Sequence, residues 1–125
     1  MDKKKILTID DEKDFTRILK MSLEKTGKYE VTTESESKNA LDLVKKLKPD
    51  LIFLDILMPG LNGFQVLDLL KKDKETVDIP VVMLTAALTD EIKTEVIKHL
   101  DKCSYMEKPV TISMLEDKIV EMLST

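Results

Sequence analysis

Leu51-Ile52-Phe53-Leu54-Asp55-Ile56-Leu57-Met58-Pro59-Gly60-Leu61-Asn62-Gly63 is the stretch on which the fold turns. Its first four residues are apolar with no polar alternation, the pattern of a strand covered on both faces rather than one that shows a face to water. An acid follows at once, and the Pro/Gly/Asn cluster after it marks a loop. A second run of the same kind, Val81-Val82-Met83-Leu84, leads into Thr85. Both predict central strands of a parallel sheet that end on polar groups.

Outward from these two, shorter runs at Lys5 to Ile9, Tyr29 to Thr33 and Ser104 to Met106 predict three further strands, beside Leu51 to Leu54 and Val81 to Leu84. The intervening segments have helical periodicity. Phe15, Ile18, Leu19 and Leu23 form a stripe on a first helix that Gly27 ends through a left-handed cap. Ala40, Leu41, Val44 and Leu47 mark a second, stopped by Pro49. Phe64, Leu67 and Leu70 mark a third, Ile92, Val96 and Leu100 a fourth, and Ile112, Leu115, Ile119 and Leu123 a fifth. The fold class is therefore α/β, with five parallel strands flanked by five helices.

The 125 residues suit one domain spanning 1–125, and 42% hydrophobic with 35% charged residues is an ordinary globular composition. A net charge of −4 gives no general attraction to nucleic acid or to an anionic membrane, so neither direct nucleic-acid contact nor membrane insertion is expected. The most apolar stretch, Ile79 to Leu88, is interrupted by Pro80 and falls short of the ~20 residues of a membrane span. A single cysteine, Cys103, excludes an internal disulfide and reads as a small buried filler. Without a secretory signal at the start, a cytoplasmic location is expected.

In an open parallel sheet, ligands bind beyond the carboxyl ends of the strands. There Ile9 leads into Asp10-Asp11, Leu54 into Asp55, Leu84 into Thr85-Ala86, and Met106 into Glu107-Lys108-Pro109. Three clustered carboxylates raise one another's pKa unless a cation compensates them. Asp10, Asp11 and Asp55 against Lys108 leave two negative charges, which one divalent ion balances, and oxygen donors without histidine or thiolate suit Mg²⁺, or Mn²⁺, better than zinc. A carboxylate beside such an ion, a hydroxyl and an ammonium group is equipped to accept a phosphoryl group.

Through Ile9-Asp10-Asp11, Leu54-Asp55-Ile56-Leu57-Met58-Pro59 with Gly63, Thr85-Ala86, and Tyr105 before Lys108-Pro109, the chain resembles the response-regulator receiver domain over essentially its whole length. The resemblance implies the flavodoxin-like, doubly wound strand order 2-1-3-4-5. It implies a phosphoacceptor switch of a two-component phosphorelay rather than a metabolic enzyme, with Asp55 phosphorylated by a sensor histidine kinase or histidine phosphotransfer protein. By the same resemblance Asp11, Asp55 and the main-chain carbonyl of Leu57 hold Mg²⁺, with Asp10 acting mostly through bound water. Lys108 pairs with the phosphate, and Thr85 turns toward it while Tyr105 rotates. Ala86 and Pro109 support the surrounding loops. The output is altered binding of a separate downstream protein, with the fourth helix, fifth strand and fifth helix as one presenting face. Leu57 and Ala87, two residues beyond Asp55 and Thr85, carry no group to position an attacking water, which implies slow self-dephosphorylation. Before Tyr105, Asp101-Lys102-Cys103-Ser104 departs from the Gly-Ala pair common in the family.

Taken singly, the same residues have plainer readings. Asp10-Asp11 suits a helix start, Thr85 an ordinary strand position, Lys108 a solvated charge before a turn, and Tyr105 a half-buried aromatic. His99, among Lys98, Asp101 and Lys102, reads as part of a solvated helix face. A small aspartate-nucleophile phosphatase is a rival, although Leu57 stands where such enzymes place a second acid. An unphosphorylated docking pseudo-receiver is another.

Overall fold

Apolar residues alternate between two faces of one sheet, and each face is closed by its own helices. The computed structural model describes residues 2–86 and 89–124. In chain order it contains β1 (Lys4–Ile9), α1 (Lys13–Lys25), β2 (Tyr29–Glu34), a 3-10 turn (Ser37–Asn39), α2 (Ala40–Leu47), β3 (Leu51–Asp55), α3 (Gly63–Lys72), β4 (Val81–Thr85), α4 (Asp90–Lys98), β5 (Ser104–Glu107) and α5 (Ile112–Leu123). The strands pair in parallel in the order β2-β1-β3-β4-β5. Thus β3 and β4, whose residues are all buried, lie inside the sheet as their unbroken apolar runs require.

On one face Leu7, Ile9, Ile52, Leu54, Val81 and Met83 pack with Ala40 and Val44 of α2, Val66, Leu67 and Leu70 of α3, and Val96 of α4. On the other, Ile6, Val31, Leu51, Phe53, Val82 and Leu84 meet Leu19 and Leu23 of α1 and Leu115 and Ile119 of α5. This two-residue period turns a run such as Leu51–Leu54 into anchors for both layers at once.

Helix ends follow local chemistry. Asn62 opens α3 with a capping box: its carboxamide oxygen accepts from the Gln65 amide at 3.0 Å, and its own amide donates to Gln65 Oε1 at 2.8 Å. Thr89 and Thr111 cap α4 and α5 through their hydroxyls. Gly27, at φ +80°, follows α1 in the left-handed conformation anticipated for it, and its amide donates to the Glu24 carbonyl. Ahead of Pro49, α2 ends with Lys48 also left-handed, at φ 49°.

Three positions depart from the periodic reading. Ile18 is 60% exposed, because α1 buries Thr16 beside Leu19 and Leu23, and residue 18 lies about 120° around the helix from the centre of that stripe. Leu100 falls beyond the end of α4 and is half exposed. His99 is covered rather than solvated: its ring packs on Phe64 with centroids 5.0 Å apart, and Nδ1 donates to the Glu95 carbonyl at 2.7 Å. The chain then turns inward, with the Cys103 amide donating to the His99 carbonyl, so Cys103 is buried as anticipated. Burial pushes the Cys103 thiol up to about 11 and keeps it protonated.

Gly63 shows how tightly the loop after β3 closes. A Cβ there would stand 2.5 Å from the Asp55 carbonyl oxygen and 2.8 Å from Ile56 Cα, both backbone atoms that cannot swing aside. Its amide also donates to the Ile56 carbonyl at 2.8 Å. Gly63→Ala is therefore expected to lower unfolding free energy by about 1–3 kcal/mol, the range for forced overpacking, as read from the urea midpoint. An unchanged midpoint would mean that the approach is looser than these distances state.

Candidate functional site

At the carboxyl edge of the sheet, the neighbouring β1 and β3 release their chains side by side, and this brings the predicted acids together. Asp10 directly follows β1, and Asp55 is the last residue of β3. Side-chain oxygens of Asp10, Asp11 and Asp55 all lie within 4.8 Å of one another. Asp10 and Asp55 are buried, at 1% and 5% exposure, whereas Asp11 faces solvent.

Lys108, the residue after β5, reaches across to the same place. Its ammonium donates to Asp10 Oδ2 at 2.8 Å and to Glu12 Oε1 at 2.9 Å, and sits 4.3 Å from the centroid of the Phe15 ring. Only 9% of the lysine side chain is exposed, so this is a sheltered charge and not the solvated one of the plainer reading. Burial alone would lower its pKa, but hydrogen bonds to Asp10 and Glu12 hold it above the ordinary lysine value. The main chain of Lys108 is fastened too, its amide donating to the Thr85 carbonyl at 2.8 Å.

Asp10 serves two partners. One carboxylate oxygen accepts from the Glu12 amide at 2.9 Å and shapes the turn into α1, while the other takes Lys108. Glu12 and Phe15 were not singled out as site residues. Glu12 was visible as a third consecutive acid, but its reach to Lys108 depends on a contact spanning 96 residues. Phe15 was legible only as part of an apolar stripe.

Asp55 carries the electrostatic tension. Burial, followed by the neighbouring Asp10, pushes its carboxyl up to about 7, against the pull of Lys108 and of a hydrogen bond with the Ile56 backbone. A cation set among the three acids would relieve this, and the donors are all hard oxygens. The set fits a divalent metal ion.

The remaining predicted residues surround this centre unevenly. Thr85 ends β4 and is fully buried, while Leu57, two residues beyond Asp55, is half exposed. Ala86 and Pro109 border, with Glu12, Phe15 and Lys108, a depression of about 360 Å³. The Lys108–Pro109 peptide is cis. Tyr105 lies on edge strand β5, 42% exposed, and lines a wider groove of about 850 Å³ with Cys103, Lys118 and Met122. That larger depression is away from the acids. Ala87 lies outside the described residues.

Residues 6–120 match the family model described as "Response regulator receiver domain". A "probable transcriptional regulator ycf27" of Cyanophora paradoxa is 38% identical over 123 residues, which are 98% of this chain and 49% of that protein. The chain thus spans about half the length of the curated relatives it matches. Among solved structures, the receiver domain of Francisella response regulator 1452 aligns with a TM-score of 0.82 at 30% identity, covering 96% of each chain. The chemotaxis protein CheY4 of Vibrio cholerae aligns with a TM-score of 0.86 at 26% identity, covering 98% of this chain and all of that one. No helix among the described residues is long and apolar enough to cross a membrane.

The raised carboxyl makes stability depend on pH with a definite sign. Asp55 ionises at about 7 when folded and near its ordinary 3.8 when unfolded, so its contribution is fully present below pH 3.8 and is lost as pH rises through about 7. In metal-free buffer Asp55→Asn should therefore be more stable than the parent at about pH 8, by on the order of 1–4 kcal/mol, with the gain vanishing near pH 4. Added Mg²⁺ should raise the parent's Tm at the higher pH and barely move that of the variant. Equal stabilities across this pH range would contradict the crowding of the acids.

Proposed function

Since the chain belongs to the response regulator receiver family, we propose that it is a phosphoacceptor switch in which Asp55 takes a phosphoryl group from a phosphohistidine. The donor is a sensor histidine kinase or a histidine phosphotransfer protein. The observation that carries this reading is the convergence of Asp10, Asp11 and Asp55 within 4.8 Å, with Lys108 bonded to Asp10.

In the transfer, an Asp55 carboxylate oxygen bonds to phosphorus as the phosphorus–nitrogen bond to the donor imidazole breaks, and the imidazole nitrogen keeps the electron pair and then takes a proton. Asp11, Asp55 and the Leu57 carbonyl are the residues that would hold Mg²⁺, or Mn²⁺ in its place, with Asp10 acting mostly through water. When bound, such an ion neutralises charge on phosphoryl oxygens and on the attacking carboxylate. Desolvation of Asp55 leaves its oxygen poorly solvated and available for attack.

Lys108 is placed to exchange one of its carboxylate partners for a phosphate oxygen. An ammonium held by Asp10 and by the more exposed Glu12 can release one of them for the new acceptor. Thr85, at the end of the strand next to β3, supplies a hydroxyl for another oxygen, and Tyr105 on the adjoining strand reports the change at the surface. Ala86 and Pro109 support the loops that follow β4 and β5. The output is altered binding of a downstream protein, with α4, β5 and α5 as one presenting face. Curated relatives bear the names of transcriptional regulators, so the lack of direct nucleic-acid contact is proposed only for this chain's own surface, on its net charge of −4.

Incubation with acetyl phosphate and Mg²⁺ is expected to add the mass of one phosphoryl group to the parent chain and none to Asp55→Asn. A phosphoryl group found elsewhere would reassign the site, and steady hydrolysis of a phosphoester would favour the phosphatase reading. Thr85→Ala should still be labelled but should lose roughly 1.5–3 kcal/mol of coupling between phosphorylation and partner binding, the worth of a hydrogen bond to a charged acceptor. Leu57 and Ala87 offer no side chain to orient water, so the phosphorylated chain is expected to outlast a timescale of seconds. Decay within seconds in purified protein would show that water is positioned by other groups.

A further inference from the structure

Ser37 opens the 3-10 turn after β2, well before Asp55 in sequence, yet its side chain is buried at 3% exposure against the loop that follows Asp55. Its hydroxyl donates to the Pro59 carbonyl at 3.1 Å and accepts from the Leu61 amide at 3.0 Å. Those two backbone groups flank Gly60, which is held at φ +80° and whose added Cβ would stand 3.4 Å from the same oxygen. One hydroxyl therefore satisfies a donor and an acceptor on opposite sides of a left-handed turn.

The loop's two ends are also joined by a backbone hydrogen bond, the Gly63 amide donating to the Ile56 carbonyl at 2.8 Å. Leu57 lies between the two pins. A serine hydroxyl that bridges a loop's tip thus bears on where that loop's carbonyls stand, in the manner of an outer partner that orients a metal ligand.

We propose that Ser37 is a positioning residue for phosphoryl acceptance: by clamping Pro59 and Leu61 it sets the loop whose Leu57 carbonyl completes the cation site beside Asp55. This inference rests on the proposed reading of Asp55 as the phosphoacceptor and of the Leu57 carbonyl as a donor to the cation. Loss of the hydroxyl frees the loop tip and weakens cation binding, while the reacting carboxylate, Lys108 and Thr85 keep their places.

The test compares the parent with Ser37→Ala and Ser37→Gly, and with Thr76→Ala as a control. Thr76 is an equally buried hydroxyl that donates to the Leu70 carbonyl at 2.6 Å in the loop between α3 and β4. Three quantities are measured: Mg²⁺ affinity by calorimetry without phosphodonor, amide exchange at Leu61 without metal, and the rate of labelling by acetyl phosphate across a Mg²⁺ series. For both Ser37 variants the half-saturating Mg²⁺ concentration is expected to rise about tenfold, with the saturated labelling rate changed by no more than about twofold and faster exchange at Leu61. Thr76→Ala is expected to lower Tm without shifting Mg²⁺ affinity. Unchanged Mg²⁺ affinity in both Ser37 variants, or a labelling rate reduced by the same factor at every Mg²⁺ concentration, overturns the proposal. A parent chain that binds Mg²⁺ but is never labelled defeats the phosphoacceptor reading instead, and the role of Ser37 in holding the loop is then decided by the calorimetry alone.

Discussion

Burying one carboxylate beside another is the constraint around which the rest of the structure is arranged. Asp55 ends a fully buried strand, with Asp10 as its neighbour, and its pKa is driven to about 7. Ionising it near neutral pH is therefore costly relative to an exposed aspartate. The four apolar side chains that precede it, Leu51 to Leu54, are fully buried and contribute about 1.5–3 kcal/mol apiece as an upper estimate. The strand that creates the electrostatic problem is also one of the most deeply packed elements of the fold.

Lys108 restrains the problem without removing it. It is hydrogen-bonded to Asp10 and Glu12, shielded by Phe15, and fastened through its amide to the end of β4. Two acids and one sheltered ammonium leave a residual negative charge next to exposed Asp11, the imbalance that a hard cation corrects. The parallel sheet makes this arrangement available: β1 and β3 are neighbours that emerge at the same edge, while β5 delivers the lysine from the far side of β4.

The path away from this centre is short. Thr85 and Tyr105 lie on adjoining strands whose register pairs Thr85 with Glu107 and Met83 with Tyr105. Two strands, β4 and β5, thus lie between the acids and the exposed edge of the sheet, and the wide groove along β5 lies where that edge meets α5. At the other side of the site, Gly63 and Ser37 add close backbone approach and hydrogen bonds to the loop after Asp55, whose Ile56 and Met58 are buried in the core.

Apolar runs, helical stripes between them and charged groups at strand ends set out the five strands, the five helices and the meeting of Asp10, Asp11, Asp55 and Lys108, because burial on two faces and the direction of a parallel sheet leave few alternatives. Strand order came from the resemblance, since periodicity states which residues are buried and not which strands are neighbours. The partners of each polar group were decided only in three dimensions. Glu12 on Lys108, Phe15 beneath that ammonium, His99 against Phe64, and Ser37 across the turn at Gly60 all join residues whose separation along the chain carries no local signal. Hydrophobic period is a property of neighbouring residues, whereas a hydrogen bond or a cation over a ring depends on where distant backbones come to rest.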